Sequence, residues 1–254
     1  MDSKTKKVAN IGFIAKGTVY AITGILALLA AFNLGGQNAG KMEVLDFLEK
    51  QPFGKAILGL LGLGLICYAI WRFIQSVQDP EGIGSDFKGI AKRVSFFISG
   101  LFYLGFGLYA WVEIFKSSSG GGSSIFSGDK GQLLLIVTGL GLAIKSLYQF
   151  IKAYKGDFLE KFNISAISDS SKRAAIKNLG YAGLISRGIV VGIVCYFFLK
   201  AGLGSGGSPE GTGQAFSFIQ QNTSSPWLVG LVALGLICYG VYMFAHTKYR
   251  KFQN

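Results

Sequence analysis

Apolar residues fill six stretches of the chain, at about 11–33, 53–75, 94–115, 132–152, 179–201 and 226–246. Each approaches the ~20 residues a helix needs to cross ~30 Å of hydrocarbon. Runs such as LLGLGLICYAI and LVALGLICYGV are apolar on every face, without the alternation of a barrel strand. The pattern predicts membrane-spanning helices. Two connections carry a second signal. Val44, Leu45, Phe47 and Leu48, and again Ala215, Phe216, Phe218 and Ile219, are spaced i, i+3, i+4, which predicts short helices with one buried face at the outer surface. Gly/Ser-rich stretches at 34–40, 117–127 and 203–213 are expected to be flexible. Connections 76–93 and 153–178 are basic, and the second predicts an amphipathic segment around Phe158, Phe162, Ile164 and Ile167. The first span is read as retained, because its apolar run from Gly17 to Phe32 exceeds a signal-peptide core and no cleavage pattern follows.

The chain repeats itself. GLLGLGLICY at 59–68 matches GLVALGLICY at 230–239 in eight of ten positions, an offset of 230 − 59 = 171. The same offset takes Gly12 to Gly183, Lys16-Gly17 to Arg187-Gly188 and EVLDFLEKQ (43–51) to QAFSFIQQN (214–222). A weaker middle unit aligns Gly139-Leu140-Gly141-Leu142 and Phe150 with Gly62-Leu63-Gly64-Leu65 and Phe73, and Gly100 with Gly17. Three units follow: 1–75 with spans 11–33 and 53–75; 76–152 with spans 94–115 and 132–152; and 153–254, a basic connection and then spans 179–201 and 226–246. Two crossings per unit insert every unit the same way up. The expected fold is all-α, a six-helix membrane bundle with pseudo-three-fold symmetry about the membrane normal.

Composition and charge sharpen this picture. Half of the 254 residues are hydrophobic, 15% are charged and mean hydropathy is +0.45. Of 25 Lys and Arg, 19 fall on the side holding both termini and the 2–3 and 4–5 connections, and 6 on the other; the acids divide 7 to 6. The sides carry 19 − 7 = +12 and 6 − 6 = 0. The positive-inside rule then puts both termini in the cytoplasm. The charge is read as topology and as attraction for anionic lipid at the cytoplasmic face, with no nucleic-acid partner expected. Three Cys in apolar runs and one His argue against disulfides, metal and cofactor.

The stretch Gly12-Phe13-Ile14-Ala15-Lys16-Gly17-Thr18-Val19-Tyr20, and Gln51-Pro52-Phe53-Gly54-Lys55 followed by Leu58-Gly59-Leu60-Leu61-Gly62-Leu63-Gly64-Leu65 and Tyr68, resemble a bacterial membrane family catalogued as domain of unknown function 1206. The resemblance covers nearly the whole chain, and Pro-Phe-Gly is its most specific element. Unit three departs from it with Ser225-Pro226-Trp227, and unit two has Ser99 opposite Lys16 and Arg187. It implies three two-helix repeats in a membrane and no particular activity. Mitochondrial carriers share the plan, but their repeated Pro-x-[Asp/Glu]-x-x-[Lys/Arg] signature is missing.

Charged residues within spans are costly and suggest function. Lys16 and Arg187 share one repeat position, and Lys145 lies on the fourth span opposite Tyr68. They either face a common cavity as an anion or lipid head-group site, or snorkel to the interface. Glu113, near the outer end of the third span, is a candidate ion or proton site. Gly59, Gly62, Gly64, Gly139, Gly141, Gly230 and Gly235 are expected to pack helices closely. Trp71, Trp111, Trp227 and Tyr109 suggest an aromatic belt, His246 an interfacial residue, and Tyr20, Tyr68, Tyr103 and Tyr239 packing. No catalytic constellation occurs, so no enzyme activity is expected. The functional readings are a small channel, permease or anionic ligand or lipid binder, or else a non-catalytic structural or accessory subunit with a membrane-protein partner or as a homo-oligomer.

Overall fold

A computed structural model describes residues 3–35, 41–115, 129–162, 167, 169–203, 211–223 and 226–250. The Gly/Ser-rich stretches 36–40, 116–128 and 204–210 and Ile164 lie outside the described residues. The described chain contains helices α1 (Ser3–Ala31), α2 (Lys41–Glu49), α3 (Gly54–Val77), α4 (Phe87–Phe115) and α5 (Asp129–Lys155). After a 3-10 turn (Asp157–Lys161) come α6 (Ser170–Gly202), α7 (Thr212–Thr223) and α8 (Pro226–Tyr249). Six of these, α1, α3, α4, α5, α6 and α8, are long and apolar enough to cross a membrane.

The short helices α2 and α7 form where the spacing predicted them, and they bury the predicted faces: Val44, Leu45 and Leu48; Ala215, Phe216 and Ile219. The Pro-Phe-Gly element makes the turn from α2 into α3. Phe53 takes a left-handed conformation (φ 61°), and Gly54 lies so close to the Leu48 and Glu49 carbonyls that a Cβ could not fit. Phe158, Phe162 and Ile167 are buried, so the second basic connection folds back onto the bundle.

The spans pack in a definite order. α3 packs on α4, α5 on α6 and α8 on α1, with α1 also on α3 and α6 on α8. Followed in space, the helices run α4–α3–α1–α8–α6–α5. Among the described residues α4 and α5 make at most marginal contact, so the ring is open on one side.

Small residues set the seams. A Cβ on Gly17 would come within 2.6 Å of Phe244, one on Gly100 within 2.6 Å of Phe73, and one on Gly188 within 2.9 Å of Phe150. One glycine–phenylalanine contact thus recurs at three seams. Gly62 and Gly107 hold α3 against α4 through each other's carbonyls, at 3.1 and 2.9 Å from a Cβ. Gly64 abuts Ala15, Gly139 abuts Leu199, Gly230 abuts Phe32 and Gly235 abuts Ser186, as close packing requires.

Two glycines depart from that expectation. A Cβ on Gly59 would make only an ordinary 3.5 Å contact with Ile114. Gly141 is exposed, with nothing within 4 Å. It lies two residues, about 200° of helix, from Gly139, whose face meets α6, and so it points away from the seam.

Candidate functional site: a cationic interior at the basic end

Lys16 lies one helical turn beyond Gly12 on α1, where the bundle is tight. A Cβ on Gly12 would sit 2.5 Å from the Tyr68 Cα. That approach brings the Tyr68 hydroxyl to the Lys16 ammonium, which donates to it at 2.8 Å. Lys16 is only 2% exposed, so it does not snorkel. Its Nζ stands 4.6, 5.4 and 5.5 Å from the ring centres of Tyr68, Tyr103 and Tyr239. Cation–π contact of this kind stabilises a desolvated ammonium.

The arrangement recurs 171 residues on. A Cβ on Gly183 would sit 2.6 Å from the Tyr239 Cα, and Arg187 Nη1 donates to the Tyr239 hydroxyl at 2.6 Å. The guanidinium lies 5.3 and 4.8 Å from the Tyr20 and Tyr239 rings. Tyr20 meets Tyr239, and Tyr68 meets Tyr103, edge to face. The structure therefore corrects the assignment of these tyrosines to packing alone: they partner the buried cations. The sequence signal was present, because Lys16–Tyr68 and Arg187–Tyr239 recur with one 52-residue separation.

Below this layer the three parts of the basic side converge. Asp79, itself at positive φ, accepts from the backbone N–H groups of Ile83 and Gly84 at 2.8 Å each, and that turn presents Glu81 to the bundle. Arg93 donates to the Ser76 and Val77 carbonyls and ties off the end of α3. Glu81 then pairs with Lys161 at 2.9 Å and with Arg250, and accepts from Gln75 Nε2 at 2.6 Å. Arg72 donates to Gln75 Oε1 at 2.9 Å. Arg250 continues over the Phe13 and Trp71 rings, and His246 stacks on Phe13 and packs against Phe162. Trp71 and His246 are 1% and 3% exposed. Neither is interfacial as expected: Phe13 and Arg250 pack on Trp71, and Phe13, Phe162 and Tyr242 pack on His246. Trp227, 76% exposed, remains available to an aromatic belt.

Positive charge exceeds negative here. Lys152 on α5 lies within electrostatic reach of Lys161, Arg72, Arg250 and Arg187. Tyr148 on α5 lies within reach of Arg72 and Glu81. Glu81 pairs with two of these cations, Lys161 and Arg250, and lies within electrostatic reach of a third, Arg72. Nε of Arg72 and Nε of Arg187 are buried with no hydrogen-bond partner among the described residues, as is Oε1 of Gln149. Lys145 is exposed on α5; Glu113 belongs to α4, and its side chain lies outside the described residues.

Burial raises the Glu81 carboxyl, but Lys161 and Arg250 outweigh it and hold it at about 2, against an ordinary 4.5. The unfolded chain therefore takes up this proton first. The stability Glu81 contributes is complete above pH 4.5 and disappears as pH falls towards 2. Burial, reinforced by Arg250, brings Lys161 down to about 8 against Glu81's opposing pull. Its contribution runs the same way, rising with pH between 8 and 10.5. Unfolding midpoints at pH 7 and pH 3 are expected to show an acid loss that shrinks in Glu81→Gln.

A family model described as a domain of unknown function, DUF1206, matches residues 11–79 and 182–250. The matches are offset by 182 − 11 = 171, the internal repeat distance. The chain is 29% identical over 252 residues to the uncharacterized protein YxxB of Bacillus subtilis (strain 168), covering 96% of this chain and 91% of that protein. No solved structure matches.

Proposed function

The chain belongs to the DUF1206 family, and on that premise we propose that it is a non-catalytic inner-membrane protein that binds a phosphate-bearing anion in its cationic interior. One observation carries this reading: Lys152 lies within electrostatic reach of Lys161, Arg72, Arg250 and Arg187, while Glu81 pairs with Lys161 and Arg250 and reaches Arg72. Charge in a low-dielectric interior is stable only when compensated. Glu81 compensates part of it, and an anion completes the balance. Guanidinium groups suit this task because their planar fork matches a phosphate. Both termini and this interior are assigned to the cytoplasmic side, where 19 of the 25 basic residues lie.

A pseudo-three-fold plan of parallel helix pairs fits the same facts. The seams α3–α4, α5–α6 and α8–α1 follow one cyclic rule and share the glycine–phenylalanine contact. The 52-residue cation–tyrosine pairs belong to the first and third units. The middle unit has Ser99 in place of the cation and leaves the ring open.

Thermal unfolding in non-ionic detergent tests the reading, with inorganic phosphate and short-chain phosphatidic acid as probes. Saturation at about 100 Kd stabilises by about 2.7 kcal/mol, a rise of several degrees. Either probe should raise the midpoint of the native chain and fail to raise that of Arg187→Gln. A flat response to both overturns the reading.

A further inference from the structure

We infer that the anion is the head group of an anionic phospholipid, admitted sideways from the bilayer between α4 and α5. The inference rests on the binding reading above and adds the source of the ligand and its route. Five helix seams close the ring, and the sixth, between α4 and α5, does not close among the described residues. Those two spans are also the least buried, with 28% and 22% of an apolar 18-residue stretch buried against 39–56% for the others.

The outward faces of α4 and α5 are apolar, with Leu101, Phe102, Leu140 and Leu147 exposed. Tyr148, half exposed on α5, lies within electrostatic reach of Arg72 on the facing α3, and Lys152 is one turn further along. Arg72 and Arg187 each keep a buried Nε without a hydrogen-bond partner among the described residues. A lipid satisfies both halves of this surface. Its phosphate takes the guanidinium donors, and its acyl chains lie along α4 and α5 in the hydrocarbon. A free phosphate uses the first half only and would gain nothing from an opening towards lipid.

At the other end of this interior, access is obstructed. The Glu81–Lys161–Arg250 cluster, with Phe162 over His246, covers the aqueous side.

The experiment is native mass spectrometry of the full chain released from nanodiscs holding phosphatidylcholine and phosphatidylglycerol in equal amounts. In parallel, p-benzoylphenylalanine placed at Tyr148 reports which lipid photo-crosslinks there. The expected result is one phosphatidylglycerol retained per chain. Retention should fall at least tenfold in Arg72→Gln and Arg187→Gln and persist in Arg72→Lys and Arg187→Lys, and phosphatidylglycerol should dominate the adduct at Tyr148.

Equal retention of both lipids, or retention unaffected by either glutamine substitution, overturns the inference. Stabilisation by inorganic phosphate without lipid retention also overturns it, while leaving the anion-binding reading intact. Failure of both phosphate and lipid removes the two together. Where a glutamine variant fails to fold, the lysine variants and the crosslink at Tyr148 still decide.

Discussion

Replacing Glu81 with glutamine is expected to lower the thermal midpoint by about 10 °C, the largest loss from any single polar substitution in the protein. Glu81 is the carboxylate to which Lys161 and Arg250 are paired, and Gln75 donates to it as well. Arg250 has a side chain only 5% exposed. Removing one partner of a buried pair leaves the other charge uncompensated, which costs about 3–5 kcal/mol. A domain of this size loses roughly 2–4 °C per kcal/mol. Glutamine keeps the shape and an acceptor oxygen, so the loss measures charge rather than volume. The double variant Glu81→Gln, Arg250→Gln should recover part of the midpoint, because it removes the stranded guanidinium. Differential scanning fluorimetry of the native chain, Glu81→Gln, Arg250→Gln and the double variant checks this. Additive losses would show that the pair is not coupled.

Valine at Gly12 or Gly183 is expected to be more disruptive still. Each glycine faces the backbone of a tyrosine on the neighbouring helix. A Cβ would lie 2.5 Å from the Tyr68 Cα at Gly12 and 2.6 Å from the Tyr239 Cα at Gly183. Backbone cannot rotate away, so the helices must separate. Overpacking costs about 1–3 kcal/mol and sometimes more. Here separation also withdraws the hydroxyls that accept from Lys16 and Arg187. Each variant should leave the monodisperse peak in size-exclusion chromatography. Gly141→Ala and Gly105→Ala are the controls, since a Cβ at either position meets nothing within 4 Å. They should stay within about 0.5 kcal/mol of the native chain.

Hydropathy revealed much of this fold. The six spans and the two short helices with their buried faces are legible because each is local, a property of 10 to 30 consecutive residues. The repeat offset is legible because the mid-helix pairs Lys16-Gly17 and Arg187-Gly188 survive with it.

What escaped is long-range or concerns facing. Within a membrane, lipid is as apolar as a leucine, so an apolar position does not say which neighbour it meets. Gly139 and Gly141 look equivalent in sequence, yet one is wedged against Leu199 and the other faces away. Trp71 and His246 look interfacial by position, but are covered by Phe162 and Arg250, which are far from Trp71 in the chain. Glu81, the pivot of the basic end, is unremarkable in a charged connection. Its importance comes from Lys161 and Arg250, 80 and 169 residues away. Nor does repeat counting show that the middle pair stands apart.

The most extensive seam joins α1 to α8, the first span made to the last. During synthesis α1 enters the membrane without that partner. Roughly 200 residues separate them, which at about 5–20 residues per second is about 10–40 s of waiting. For that interval Gly17 and Gly24, the contact points for Phe244 and Ala233, face whatever else the insertion machinery or bilayer provides. The protein cannot be finished in the order in which it is made: its first helix is held in reserve, and a chain cut short before α8 lacks its main closure however many spans it has already inserted.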